Sequence, residues 1–210
     1  MAAKRTYGDR CGIARALDLV GERWALLIVR DLLLGPKRFT DLRAGLPHVS
    51  PDVLSQRLRE LEEAGIVRRT KLPPPAATRV YELTDRGQAL EPIVIELGRW
   101  GSATPIADAD AELGVDSAVI ALKTVFDPSA ADGLAETYEL RLNDQPFRIS
   151  VADGRLEAAR GSADRPAAVI DTDPPTLATV LWHGGRRSDL RIEGDKAAAR
   201  RFMSLFPLPA

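Results

Sequence analysis

The segment from Ser50 to Gly65 constrains the fold of this chain most strongly. Ser50-Pro51-Asp52 has the chemistry of a helix start, because serine caps backbone amides and proline fits the first helical position. Leu54, Leu58 and Leu61 then recur at the spacing of one helical face, and Gly65 is placed to end the helix. The sequence therefore predicts a capped helix with one apolar and one polar face.

Shorter elements flank this helix on both sides. Helical patterns cover residues 13–20, 23–34 and 40–44, and β-like runs at 66–71 and 79–83 enclose a proline-rich segment, 72–78. A last long helix is predicted from about Asp85, with these residues on one side: Leu90, Ile93, Val94, Leu97 and Trp100. Helix, helix, short helix, capped helix, hairpin and helix is the order of a winged helix-turn-helix domain.

The length and the charge distribution predict two domains. A chain of 210 residues exceeds most single domains. Residues 1–105 hold 17 Lys and Arg against 13 Asp and Glu, whereas residues 106–210 hold 12 against 17. We expect an N-terminal domain over 1–105, a linker over 106–116 and a second domain over 117–210. The basic half favours a polyanionic partner, although such a difference is common between unrelated domains.

The polar face of the capped helix is the predicted site of contact with double-stranded DNA. In this layout the second helix of the turn enters the major groove, where Gln and Arg can pair with adenine and guanine edges. The predicted contact residues are Lys37, Arg38, Thr40, Ser50, Pro51, Asp52, Ser55, Gln56, Arg57, Arg59 and Arg79. The alternative is a merely solvated helix face, with Arg59 and Glu63 paired at i,i+4, and an ordinary proline-rich surface loop.

Five spaced motifs carry a family resemblance across about residues 11–101. They are residues 11–24, Phe39-x-x-Leu42, residues 54–62, residues 65–69 and residues 81–87. Together they resemble the HxlR-type transcriptional regulators. The resemblance implies a homodimer with the first and last helices of the domain at its interface. It also implies that residues 51–59 lie in the major groove and that residues 72–79 form the wing. Gly12 and Glu22-Arg23 depart from the family pattern.

Cys11 lies where some members of that family sense oxidants or electrophiles. A thiol ahead of a helix, near Arg10 and Arg15, would be favoured in its reactive thiolate form. The alternative is a small residue that only packs. Since the chain has one cysteine, sensing would require an intersubunit disulfide or a small-molecule adduct.

The acidic half predicts an α+β domain. Residues 137–142 and 145–151 alternate apolar and polar side chains around Asn143-Asp144, a hairpin signal. Further strands are predicted at 155–160, 167–171 and 189–193, with helices at 175–181 and 195–206. These elements indicate an antiparallel sheet covered by a few helices.

A second, looser resemblance covers about residues 117–207. Its motifs are Tyr138-x-Leu140, the run from Phe147 to Gly154, residues 168–173, residues 192–195 and the run from Phe202 to Phe206. They resemble a sterol carrier protein type 2-like domain, which implies an apolar pocket for a hydrophobic small-molecule effector. The candidate walls are Val180, Leu181, Trp182 and Phe202. The alternatives are a scaffold that aids dimerisation and plain core packing.

The composition argues against other classes of protein. With Cys11 alone and two histidines, His48 and His183, we expect no metal site, and we predict no cofactor. We do not expect an enzyme, because the sequence has no nucleophile elbow and no phosphate-binding glycine loop. Asp171 and Asp173 are closely spaced carboxylates, but we expect them to lie at a turn or at the end of a strand and not to act in catalysis. No signal-peptide core and no apolar run of ~20 residues occurs, so we expect a cytoplasmic protein without membrane contact. The competing function is a lipid carrier or enzyme accessory protein whose winged helix serves only protein interaction.

Overall fold

The computed structural model describes residues 6–73, 77–104 and 113–208. The chain divides into two compact units, Met1–Val94 and Ile95–Ala210. The boundary between the units falls inside a helix, eleven residues before the domain limit expected at residue 105. Most of the predicted linker, residues 105–112, lies outside the described residues.

The N-terminal unit has the predicted winged helix layout. Its elements are α1 (Gly12–Val20), α2 (Ala25–Leu32), α3 (Phe39–Gly45), α4 (Pro51–Glu63), β1 (Val67–Lys71), β2 (Arg79–Leu83) and α5 (Asp85–Gln88). α6 (Glu91–Ser102) begins in this unit and continues into the next. The prediction of a single long helix from Asp85 is wrong, since the chain forms two helices there, α5 and α6. Pro92 explains the break, because its ring would clash with the carbonyl group of Gln88 in a continuous helix.

The core of the N-terminal unit lies between α2 and α4. Ile28 and Val29 of α2 and Leu54 and Leu58 of α4 are completely buried in one apolar cluster. Each such side chain contributes about 1.5–3 kcal/mol when it leaves water. Trp24 packs against the cluster with a left-handed backbone, φ 80°, which a bulky residue adopts only when its surroundings impose it. This packing fixes which face of α4 points outward.

The C-terminal unit contains a five-stranded sheet in the order β5-β4-β3-β6-β7. Its strands are β3 (Glu136–Leu142), β4 (Gln145–Ala152), β5 (Arg155–Arg160), β6 (Ala168–Thr172) and β7 (Arg191–Gly194). Its helices are α7 (Val115–Val125), α8 (Pro174–Trp182) and α9 (Lys196–Ser204), with short 3-10 turns at Pro128–Ala131 and Arg187–Asp189. Asn143 and Asp144 both have positive φ, as the predicted two-residue hairpin requires.

The expected antiparallel sheet is wrong in one respect, because β3 and β6 pair in parallel. β4 and β5 occupy one side of β3, so the chain must cross the sheet to reach the other side. The crossing segment is held against β3, where the backbone N–H of Ala163 donates to Glu139 Oε2 at 2.8 Å. β5 runs in the same direction as β3. The crossing segment ends beside the start of β3, where the Ala167 N–H donates to the Thr137 carbonyl oxygen at 2.8 Å, so β6 runs parallel to β3. α7, which the sequence did not predict, begins at Val115 within the expected linker.

One face of this sheet carries the second core. Tyr138, Leu140, Phe147 and Ile149 are completely buried on it. Phe202 of α9 packs its ring against Tyr138, with 5.0 Å between the ring centroids. The sheet and its helices thus form an α+β unit with its own apolar interior.

No helix within the described residues is long and apolar enough to cross a membrane. In the same parts of the chain, no three His, Cys, Asp or Glu side chains lie together as ligands for a metal ion.

Candidate nucleic-acid interface

α4 is fixed at its N-terminus and along one face. The Ser50 hydroxyl accepts a hydrogen bond from the Val53 backbone N–H at 3.3 Å, which confirms the predicted cap. Because Leu54, Leu58 and Leu61 are buried, the opposite face is turned to solvent. The exposed residues on that side include Pro51, Asp52, Gln56 and Arg59, and Ser55 is half-buried. The structure therefore brings together the residues that the sequence predicted for the major groove.

The C-terminal end of α4 is held by the segment that follows β2. Arg86 Nη1 donates to the carbonyl oxygen of Ala64 at 2.8 Å, and Thr84 Oγ1 donates to that of Gly65 at 2.7 Å. Carbonyl groups at a helix end have no partner within the helix, so these side chains supply the missing donors. Thr84 and Arg86 entered the sequence predictions only as parts of the motif at residues 81–87. One signal in the sequence was available: Thr84 precedes Gly87 by three residues, the spacing of a helix N-cap. In the structure the Thr84 hydroxyl accepts a hydrogen bond from the Gly87 N–H.

Three side chains on the exposed face of α4 form a hydrogen-bonded row. Arg59 Nη2 donates to Gln56 Oε1 at 2.7 Å, and Gln56 Nε2 donates to Glu60 Oε1 at 2.7 Å. Arg59 therefore bonds to Gln56 in this structure. The row holds the Gln56 amide and the Arg59 guanidinium side by side. These two side-chain types are the ones that can pair with adenine and guanine edges.

Arg57 bonds to the Glu60 end of this row but is mostly buried. Its side chain is 17% exposed and pairs with Glu60, and its Nη1 lies 3.6 Å from Glu22 Oε2. Its Nε is buried and finds no hydrogen-bond acceptor among the described residues. The structure therefore places Arg57 as a tie between α4 and the segment before α2.

The predicted contacts around α3 divide into two groups. Arg38 and Thr40 are exposed at the start of α3, where the Arg38 backbone N–H donates to Asp41 Oδ2 at 3.1 Å. Lys37 is 7% exposed, and its backbone exchanges two hydrogen bonds with Tyr81 of β2. Lys37 thus extends the hairpin and does not lie on the exposed surface with Arg38 and Thr40.

The wing carries both paired and unpaired cations. Arg68 pairs with Glu82 at 2.7 Å, and Arg69 pairs with Glu62 at 2.8 Å. Lys71 and Arg79 are exposed partners in the β1–β2 register, and neither makes an ion pair with any described residue. Residues 74–76, at the centre of the predicted wing, lie outside the described residues.

Cys11 is exposed immediately before α1, and its backbone N–H donates to Asp9 Oδ1 at 2.9 Å. A cleft of about 520 Å³ lies beside α1, between Arg15, Asp18 and Arg86. Large apolar side chains are also exposed on α1 and α6: Ile13, Leu17, Ile93, Leu97 and Trp100.

The four candidate pocket residues of the C-terminal unit lie on two helices, α8 and α9. Val180, Leu181 and Trp182 are half-buried on α8, where Trp182 Nε1 donates to the carbonyl oxygen of Phe206 at 3.1 Å. Phe202 is completely buried under the sheet. None of the four lines the cleft of about 380 Å³ in this unit.

Comparison with known proteins identifies the N-terminal part. A family model described as HxlR-like helix-turn-helix matches residues 19–107. An uncharacterized HTH-type transcriptional regulator of Bacillus subtilis, YvaP, is 44% identical over 88 residues, which cover 42% of this chain and 82% of YvaP. The HTH-type transcriptional regulator YodB of the same species is 40% identical over 85 residues, which cover 40% of this chain and 76% of YodB.

Among solved structures, quinone-bound YodB from B. subtilis is 35% identical, with a TM-score of 0.38 and coverage of 44% of this chain and 97% of that chain. The relatives are transcriptional regulators and not enzymes, as the sequence predicted. This chain belongs to the HxlR-like helix-turn-helix family of transcriptional regulators.

Proposed function

We propose that the protein is a sequence-specific DNA-binding regulator that reads the major groove with α4. The observation that carries this proposal is the fixing of α4 at both ends, by Ser50 and by Thr84 with Arg86. Its leucines are buried, so Gln56 and Arg59 stand together on the outer face. A rigid helix that presents this pair can place both groups against base edges.

The remaining contacts would be made to the phosphate backbone. We propose phosphate contacts for Arg38 and Thr40 at α3, for Ser50 at the start of α4, and for Arg79 and Lys71 on the wing. Such contacts position the protein and make its affinity dependent on salt. Arg57 would orient α4, and Lys37, which is buried, is left out of the contact set.

A homodimer would cover the apolar side chains exposed on α1 and α6. The exposed large apolar side chains include Ile13 and Leu17 on α1 and Ile93, Leu97 and Trp100 on α6. A two-fold dimer buries the same residues of both copies. It would also place two α4 helices on half-sites about 34–36 Å apart, one turn of DNA.

The C-terminal half would regulate DNA binding through a hydrophobic effector. We propose that residues 117–210 form a sterol carrier protein type 2-like domain, joined through residues 106–116 to a DNA-binding domain over 1–105. The five-stranded sheet with packed helices supports this assignment. The three half-buried residues of α8, Val180, Leu181 and Trp182, and the buried Phe202 of α9 remain its candidate ligand contacts. Because a DNA-binding regulator acts where the DNA lies, we also propose a cytoplasmic location.

Cys11 would add a chemical signal. Its exposed thiol can add to an electron-poor double bond of a small electrophile, forming one S–C bond while the thiol proton passes to the electrophile. Treatment of the protein with such an electrophile should increase its mass by that of one molecule. The Cys11→Ser variant should show no increase.

Fluorescence anisotropy with the DNA upstream of the protein's own coding sequence tests the main proposal. We expect tighter binding to this DNA than to a shuffled duplex of equal length, with affinity falling as salt rises. Equal binding to both duplexes, or none, would favour the carrier or accessory role, in which the winged helix contacts only protein.

A further inference from the structure

The C-terminal unit has a cleft between α9 and the segment from Arg187 to Ile192. Its volume, about 380 Å³, lies in the range of small-molecule sites. Three apolar side chains, Leu190, Ile192 and Met203, form its floor. Three cations, Arg187, Lys196 and Arg200, stand around it with the hydroxyl of Ser188.

The local folds bring these residues together. Lys196, Arg200 and Met203 follow one another at i, i+4 and i+7, so they share one face of α9. Ile192 belongs to β7, the edge strand of the sheet, and Arg187 begins the 3-10 turn before it. The floor is partly withdrawn from water, whereas the three cations are exposed.

The cations of the cleft have no counter-charge within the described residues. None of Arg187, Lys196 and Arg200 forms an ion pair there, and no carboxylate lines the cleft. Like charges that share a small site repel one another, so the cleft favours an anion.

The carboxylates closest in sequence are engaged elsewhere. Asp189 pairs with Arg186 at 3.5 Å. Glu193 lies 3.8 Å from Arg141 and 3.8 Å from Arg191. Asp195 Oδ1 accepts the Ala197 backbone N–H at 2.6 Å, as the cap of α9. Among the residues that the structure describes, no carboxylate therefore compensates the positive charge of the cleft.

We propose that this cleft binds a small organic anion with an apolar body, such as an alkyl carboxylate. The carboxylate would lie among Arg187, Lys196 and Arg200, and the apolar body would cover Leu190, Ile192 and Met203. Burial of the body supplies most of the affinity, and the cations select the charged head group. The site is distinct from the α8 residues named above. Its role as an effector site rests on the proposed regulatory function, but the binding itself does not.

Isothermal titration of the full chain without DNA tests the chemistry of the ligand. Decanoate should bind at least about ten-fold more tightly than hexanoate, since each buried methylene contributes about 0.8 kcal/mol. Decanol, which has the body without the charge, and acetate, which has the charge without the body, should both bind more weakly than decanoate. If decanol binds as tightly as decanoate, the cleft does not select a negative charge. If acetate binds as tightly as decanoate, the cleft does not bind the apolar body of the ligand.

Variants locate the binding. Arg200→Ala and Lys196→Ala should each weaken decanoate binding about two- to five-fold, as expected for exposed ion pairs. Arg191→Ala is the matched control, because Arg191 lies on β7 but does not line the cleft. Equal affinity of all three variants and the unchanged protein would contradict this location. Because no DNA is present, failure here leaves the α4 proposal intact, and a failure of DNA binding leaves this titration interpretable.

Discussion

Gly87 and Ile66 approach so closely that a side chain at position 87 has no room. A Cβ atom on Gly87 would stand 2.2 Å from the carbonyl oxygen of Ile66. That oxygen also accepts the Thr84 backbone N–H at 3.0 Å, so it cannot move without breaking a hydrogen bond. This contact packs α5 against the segment that links α4, the helix proposed to read DNA, to β1 of the hairpin.

Gly87→Ala should therefore destabilise the N-terminal unit. We expect the free energy of unfolding to fall by about 1–3 kcal/mol, the usual cost of forcing an extra methyl group into a packed site. Urea denaturation measures the change. Gly12→Ala is the control, since nothing lies within 4 Å of a Cβ at that position in α1. Equal stability of the two variants would show that the contact does not hold α5 in place.

Alanine variants of Arg57 and Arg59 should distinguish a residue that stabilises the fold from a residue that contacts DNA. Arg57→Ala removes the ties to Glu60 and Glu22, so it should lower the free energy of unfolding by about 1 kcal/mol. Arg59→Ala should leave stability nearly unchanged, because Arg59 is exposed, but should weaken DNA binding more than Arg57→Ala does. The measurements are urea denaturation and anisotropy on both variants. The reverse order of effects would contradict the proposed roles.

Leu97 should contribute to the dimer. Sedimentation of the unchanged protein should give twice the chain mass of 22.8 kDa, and Leu97→Glu should shift the population towards the monomer. Leu208→Glu serves as the control, because Leu208 lies outside α6 but its side chain is almost as exposed as that of Leu97, 46% against 47%. A monomeric unchanged protein, or equal dissociation of both variants, would remove α6 from the interface.

Glu136 should make the C-terminal unit sensitive to acid. Burial raises the pKa of the Glu136 carboxyl, but hydrogen bonds from Arg201 and Tyr138 outweigh it and hold the pKa below its ordinary value. A carboxyl group with a lowered pKa stabilises the fold above its unfolded pKa of about 4.3, and this contribution disappears as the pH falls further.

Glu136→Gln should therefore lose less stability than the unchanged protein when the pH falls from about 5 to about 3, as measured by urea denaturation. Glu157→Gln, at an exposed position on β5, should keep the full acid sensitivity. The same acid sensitivity in both variants would show that Glu136 does not contribute it.

Local signals sufficed where a few neighbouring residues determine the structure. Ser50 caps α4 through a residue three positions away, and Asn143-Asp144 turns the β3–β4 hairpin by its own backbone preferences. The exposed face of α4 followed from the leucine spacing for the same reason. The break at Pro92 was also visible in the sequence, but the apolar periodicity across it outweighed the proline.

Contacts between distant segments could not be foreseen in this way. Lys37 is buried because β2, more than forty residues later, pairs with its backbone. The parallel pairing of β3 with β6 depends on a crossing segment that contacts Glu139. α7 begins after Gly114 without a side-chain cap, so its start carries no local signal. Arg57 resembles its exposed neighbours in sequence, and its contact with Glu22, a residue outside α4, could not be read from the helical pattern.

The preference of the protein for its own upstream DNA over a shuffled duplex tests the central claim most directly. The measured quantity is the ratio of the two dissociation constants, for the unchanged protein, Gln56→Ala and the exposed-glutamine control Gln88→Ala. If Gln56 on α4 reads a base, Gln56→Ala should lower this ratio at least about five-fold, and Gln88→Ala should not change it. A ratio for Gln56→Ala equal to that of the unchanged protein would contradict base reading by this face of α4.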